Sequence, residues 1–245
     1  MIVSAAVLDV AFLLVAFGAR TWLQRHRTGD HGWRLGRSAS GAEAAARLLM
    51  FGAALLLITA LVVVRPASLQ PWSACGIVIA GFAIVLVAVA QVQMGESWRI
   101  GVDPHERTEL IRDGTYAHVR NPIYTGMVVF AIGQALILPS VWSLGAVAAM
   151  AIGVEIQARV IEEPYLRQVH GSQFEQWASV AGRFVPRVGR LPSPQSGGAG
   201  RHHQCDLGKP RTCSATYAST SSWLIGAIRG SRASRKYRST WYSVA

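Results

Sequence analysis

The sequence predicts an all-α integral membrane protein with about five transmembrane helices, and three observations carry that expectation. Apolar residues make up 51% of the 245 positions and mean hydropathy is +0.29, but they are gathered into runs rather than spread along the chain. Several runs reach the roughly twenty residues that a bilayer crossing needs. The polar and basic residues fall between the runs or in the last fifty positions.

The first run, Ile2 to Ala19, is interrupted only by Ser4 and Asp9 and is followed by Arg20, Arg25 and Arg27. A cleavable signal has basic residues before its apolar core, so this order predicts an uncleaved first span. Ala44 to Val64 and Trp72 to Ala90 predict the second and third. Ile123 to Leu138 and Val141 to Ala158 are separated only by Pro139 and Ser140, a spacing that predicts two antiparallel spans joined by a tight turn. Arg20, Arg25, Arg27, Arg34 and Arg37 crowd one loop and Arg99, Arg107, Arg112 and Arg120 another, whereas the loop from 65 to 71 has only Arg65. The positive-inside rule then places the N-terminus outside and both long loops and the C-terminus in the cytoplasm, at the plasma membrane if the source is bacterial.

From Pro164 to Ala181 apolar and polar residues interleave, which predicts an interfacial amphipathic segment broken near Gly171. Pro164 is itself expected to break the helix that precedes it. Beyond Leu191 the chain is rich in Ser, Gly, Pro and Arg, with eight basic residues against the single acid Asp206, and is expected either to be disordered or to associate weakly with anionic lipid through its charge.

Lys and Arg exceed Asp and Glu by 24 to 13, a net charge of +11, but no basic surface interleaved with aromatic residues stands out, so nucleic acid is not expected as a partner. Cys75, Cys205 and Cys213 have neither disulfide-framework nor metal-ligand spacing, and Cys75 reads as a small lipid- or core-facing residue. His105, in Asp103-Pro104-His105-Glu106, has no suitably spaced second ligand, so no metal is expected.

The candidate site lies in the polar stretches from Gln91 to Tyr124 and from Glu155 to Glu163. Asn121 is a favourable N-cap and Pro122 suits the first helical position, so a helix with anion-attracting N–H groups is expected to start there. Glu155, Arg159, Glu162 and Glu163 are spaced to share one helix face. The hairpin between the last two spans brings that face beside Asn121. Donors for a carboxylate next to carboxylates for an ammonium would suit an amino-acid zwitterion.

Gly114-Thr115-Tyr116, Arg120-Asn121-Pro122-Ile123-Tyr124, Glu162-Glu163, Gly171, Phe174 and Arg183-Phe184-Val185-Pro186, in that order, resemble the isoprenylcysteine carboxyl methyltransferase family, which is related to the phospholipid methyltransferases. The resemblance covers roughly residues 85 to 188. It implies a cytoplasmic C-terminal region that binds S-adenosylmethionine, and a division into N-terminal transmembrane helices (1–84), a methyltransferase-like membrane domain (85–190) and a basic tail (191–245). It implies that Thr108, Glu109, Leu110, Ile111 and Tyr116 line the nucleoside and methionine parts of the cofactor. Asn121, Pro122 and Tyr124 would face it, with Asn121 standing where the family motif has histidine. Glu162 would hold the cofactor ammonium. Arg159 would be the catalytic, substrate-orienting arginine, and with Glu163 would bind substrate. Aromatic faces at Tyr116, Tyr124 or Trp98 would favour the sulfonium. The implied partners are the lipid bilayer and a lipophilic or small amphiphilic acceptor, a carboxylate such as a prenylcysteine-like group or an amine. The competing classes are an NADPH-dependent membrane reductase of the sterol-reductase type and a non-enzymatic membrane protein.

Overall fold

A computed structural model of the protein describes residues 1–29, 40–64, 71–95 and 109–193. Trp98, His105, Thr108, the loop residues Arg34, Arg37, Arg65, Arg99 and Arg107, and the tail from residue 194 onward, for which the sequence raised expectations, lie outside the described residues.

The described chain is helical, with no strand beyond a single parallel bridge between Val119 and Gly182. The first helix begins as α1, Ile2–Leu13, continues through a π-helical stretch, Leu14–Ala19, and ends as α2, Arg20–Thr28. It is followed by α3, Gly41–Val63, and α4, Pro71–Met94. A 3-10 turn at Gly114–Ala117 precedes α5, Pro122–Ile137. Next come α6, Val141–Ile156, a second π-helical stretch, Gln157–Glu162, and the short helices α7, Glu163–His170, and α8, Ser172–Val180.

The boundaries have local causes. Ser40 caps α3 by accepting from the Glu43 backbone N–H at 3.2 Å, and Glu43 places a carboxylate in the positive first turn. Ser140 and Ser143 cap α6 reciprocally, each hydroxyl accepting from the other's backbone N–H. Gly171, at φ +52°, separates α7 from α8, where the amphipathic segment was expected to break.

Among the described residues, four helices are long and apolar enough to cross a membrane: Ile2–His26, Gly41–Val63, Pro71–Met94 and Val141–His170. The expected fifth span, α5, has only 16 residues because Pro122 opens it and the Pro139 turn follows close behind. The bundle is thus four full-length apolar helices and one short one. Its exterior carries Leu48, Phe51, Val78, Phe82 and Val141, all well exposed, a surface that lipid satisfies and water would not. Cys75 is also exposed on this outer surface.

Small residues let the helices approach closely. A Cβ at Gly76 would sit 2.7 Å from the Gly133 carbonyl, and one at Gly133 would sit 2.7 Å from the Ala80 nitrogen, which fixes α4 antiparallel against α5. A Cβ at Gly153 would meet Met50 Cγ at 2.9 Å and the Ala46 carbonyl at 3.1 Å, so α6 lies equally close to α3. The first helix is tied to this core by polar rungs. Gln134 Nε2 donates to the Ala5 carbonyl at 3.0 Å and to the Asp9 carboxylate, and Gln91 Nε2 donates to the Ala16 carbonyl at 2.7 Å. A π-helical turn leaves carbonyls outside the regular i to i+4 ladder, and Ala16 lies within one. Phe12 stacks on Phe130, with ring centroids 4.2 Å apart, and closes the seam.

Two expectations about the second half are corrected. Pro164 does not break the helix: the run continues from Val141 to His170, and the preceding π-helical stretch absorbs the proline, which falls in the first turn of α7. The same stretch changes the helical phase, so Glu155, Arg159, Glu162 and Glu163 do not form one face.

Candidate functional site

The residues from Arg120 to Tyr124 are positioned by the segment from Ala181 to Pro186, which docks alongside them. Gly182 N–H donates to the His118 carbonyl at 2.9 Å, Arg120 N–H to the Gly182 carbonyl at 2.7 Å, and Asn121 N–H to the Arg183 carbonyl at 3.1 Å. Gly182 has no room for a side chain, since a Cβ there would lie 1.9 Å from the Val185 carbonyl oxygen. Asn121 stands at the N-cap position but its side chain does not cap the helix. Its amide donates instead to the Arg183 carbonyl at 3.2 Å. The docked segment therefore takes up the Asn121 side chain and backbone N–H just ahead of the helix.

Arg120 and Glu163 form the buried strut beneath it. All five guanidinium N–H groups of Arg120 are engaged. Nε and Nη2 donate to Glu163 Oε1 at 3.2 and 2.9 Å, Nη1 to the Ala178 and Ala181 carbonyls at 3.1 and 2.7 Å, and Nη2 also to the Gly189 carbonyl at 2.9 Å. Arg183 adds a fork onto the same carboxylate, Nε to Oε1 at 2.7 Å and Nη2 to Oε2 at 2.9 Å. Burial lowers the proton affinity of Arg120 and Glu163 opposes that, whereas Arg183, gripped by Glu163, is raised. Glu163, 8% exposed, thus ties three segments together and does not face the cavity described next.

Glu162, its immediate neighbour, has a different setting. It accepts from the Tyr124 hydroxyl and from Gln157 Nε2 at 3.3 Å, and all three side chains border a cavity of about 410 Å³. That volume lies within the range of small-molecule sites. Glu109, Leu110, Ile111, Tyr116, Asn121 and Pro122 border it too, so the structure gathers eight of the anticipated residues around one space. Tyr116 is buried. Its hydroxyl donates to the Ala90 carbonyl at 3.4 Å, its carbonyl accepts from Trp177 Nε1 at 2.9 Å, and burial pushes its phenol well above the ordinary tyrosine range. Gln157, 4% exposed, leaves its Oε1 without a hydrogen-bond partner.

Arg159 is not at this site. Its guanidinium is 57% exposed and pairs with Glu155 one turn away, outside the cavity wall. The expected stripe is divided: Glu155 and Arg159 face outward, Glu162 faces the cavity and Glu163 faces the strut.

Residues without a sequence signal complete the wall. Phe12, Ala16 and Phe17 come from the first helix, Arg47, Met50 and Leu57 from α3, Gln91 and Met94 from α4, and Tyr165, Leu166 and Trp177 from the last two helices. The cavity runs from the polar cluster at Glu162 and Tyr116 along apolar side chains to Asp9 and Ile58. By helix rise, Arg47 to Ile58 along α3 spans about 16 Å.

Residues 71–173 match the model of the phospholipid methyltransferase family. Over 101 residues, 40% of this chain and 43% of the relative, the chain is 29% identical to the protein-S-isoprenylcysteine O-methyltransferase of Schizosaccharomyces pombe. Over 106 residues, 42% of this chain and 54% of the relative, it is 27% identical to protein-S-isoprenylcysteine O-methyltransferase B of Arabidopsis thaliana. Over 118 residues, 48% of this chain and 55% of the relative, it is 25% identical to the nickel-cobalt-cadmium resistance protein NccN of Alcaligenes xylosoxydans xylosoxydans. The chain matches about half the length of these curated relatives. The matched residues 71–173 hold Arg120 to Tyr124, Gln157, Glu162 and Glu163, so the part of the chain that is similar to the phospholipid methyltransferase family model contains much of the cavity's polar end.

Proposed function

We propose that this protein transfers a methyl group from S-adenosylmethionine to an amphiphilic acceptor at the cytoplasmic face of the membrane. The observation that carries this reading is one cavity whose polar, aromatic end at Glu162 and Tyr116 continues into a long apolar wall. A water-soluble cofactor and a lipid-like acceptor need those two environments side by side.

The polar end fits the cofactor. Glu162 and the unpartnered Oε1 of Gln157 are two acceptors suited to an ammonium, with Tyr124 holding Glu162 in place. Tyr116, Tyr165 and Trp177 border the space with aromatic side chains, which favour a sulfonium through their ring quadrupoles. When bound, S-adenosylmethionine supplies an electrophilic methyl whose bond to sulfur breaks with the electron pair left on sulfur, as an acceptor atom forms the new bond to carbon. The protein's part in such an in-line displacement is alignment and exclusion of water. Phe12, Met50 and Phe130 supply the dry wall for the acceptor's tail, and the Arg120–Glu163–Arg183 strut holds Asn121 to Tyr124 against the cofactor's end. A carboxylate acceptor already carries the attacking lone pair and needs no base, whereas an amine would first have to lose a proton.

The test is equilibrium binding of radiolabelled S-adenosylmethionine and of NADPH to the detergent-purified full chain. It is followed by mass spectrometry for label transferred to N-acetyl-S-farnesylcysteine and to lipid extracts. Saturable binding of S-adenosylmethionine is expected, and a preference for NADPH would replace this reading with the reductase class.

A further inference from the structure

The Glu162 cluster and the Arg120–Glu163–Arg183 strut do not fix the acceptor's reactive group, and the cavity wall carries a feature bearing on it. Two guanidinium groups border the space among the described residues, Arg120 and Arg47. Arg120 has all five donors committed to the strut and can offer none to a ligand. Arg47 has one bond, from Nη2 to the Glu43 carboxylate one turn earlier on α3. Its remaining N–H groups make no further hydrogen bond among the described residues, and the side chain is 21% exposed. A guanidinium so placed attracts a carboxylate or phosphate, and Glu43 restrains its direction without using its donors up.

The position of Arg47 matches that role. Gly153 packs against Ala46 and Met50, which sets this turn of α3 against α6 just before Gln157. Arg47 thus stands at the polar end of the cavity, with Met50 and Leu57 continuing the apolar wall along the same helix. It also lies outside residues 71–173, so no shared motif points to it.

Resting on the function proposed above, we infer that Arg47, held by Glu43, is the residue that binds the acceptor's anionic group, so that the site selects a tailed carboxylate over its neutral or amine counterparts. Arg159, exposed and paired with Glu155, leaves that position open.

The test measures binding rather than turnover, with the detergent-purified full chain and the probe pair N-acetyl-S-farnesylcysteine and its methyl ester. The wild-type protein is expected to bind the acid about tenfold more tightly than the ester, the scale of one charged hydrogen-bonded contact. Arg47→Gln should bring the acid to the ester's affinity while leaving the ester and S-adenosylhomocysteine unchanged. Arg47→Lys should keep part of the preference. Equal affinity for acid and ester in the wild type, or an equal loss of both in Arg47→Gln, overturns the inference. So does weakened S-adenosylhomocysteine binding in Arg47→Gln, which would assign the arginine to the cofactor's own carboxylate. Competition by phosphatidylglycerol that depends on Arg47 would assign it to a lipid headgroup and overturn the inference as well. Failure of the underlying function looks different: S-adenosylhomocysteine would not bind the wild-type protein at all.

Discussion

Glu162 and Glu163 are adjacent in sequence and resemble each other in every local property, yet the structure uses them in opposite ways. Glu163 is gripped by two arginines and has no capacity left for a ligand. Glu162 keeps its carboxylate at a cavity, supported only by Tyr124 and Gln157. The difference comes from the direction of the side chains as the π-helical stretch passes into α7, one pointing under the docked 181–186 segment and the other into open space. A charge that is fully hydrogen-bonded within the protein is architecture, and one left partly satisfied beside a void is available for binding.

Removing the strut carboxylate should have the largest effect. Glu163→Ala leaves Arg120 and Arg183 without their counter-charge, at an expected cost of about 3–5 kcal/mol, and thermal unfolding in detergent should show a large fall in the midpoint. Gly182→Ala attacks the same region from the backbone. A Cβ 1.9 Å from the Val185 carbonyl forces the docked segment to shift, and about 1–3 kcal/mol of stability should be lost in the same assay. Glu162→Gln should reverse the pattern, with the unfolding midpoint nearly unchanged and S-adenosylmethionine affinity reduced on the order of tenfold, the scale of one hydrogen bond to a charged group. Glu175→Gln serves as the comparison, since that carboxylate is half-exposed and only 3.8 Å from Arg167; an equal loss of affinity there would remove the distinction between the two glutamates. The smallest effect is expected at Arg159→Gln. Its exposed pair with Glu155 contributes at most about 0.5 kcal/mol, and binding measurements should stay within twofold of wild type.

The spans were legible because hydrophobic length is a local property of the chain. Ser40, Ser140, Pro122 and Gly171 act within a turn of where they stand, so their helix boundaries could be read the same way. Glu109 to Ile111, Tyr116, Asn121, Pro122, Tyr124 and Glu162, singled out by an ordered set of motifs and the resemblance they carry, border one cavity. What could not be read was anything that depends on helical phase or on partners distant in the chain. A π-helical turn has no clear sequence mark, and it alone separates Arg159 from Glu162. Phe12, Arg47 and Gln91 look like ordinary members of apolar helices or their ends, and only the packing of the first helix and α3 brings them to the cavity. Asn121 was misread for the opposite reason. Its local preference for capping is genuine, but the carbonyl of Arg183, 62 positions later, takes the amide.

The shortness of α5 reaches beyond packing. Sixteen residues extend about 24 Å, several ångströms less than the roughly 30 Å of a bilayer's hydrocarbon layer. If its Pro139 end sits at one boundary, Asn121 and Tyr124 sit below the opposite one, with the polar cluster sunk into the oil. On the proposed function, a donor that lives in water and an acceptor that lives in lipid would meet there without either having to cross into the other's solvent. Turnover would then depend on membrane thickness, since a thicker bilayer buries the meeting point further from the aqueous supply.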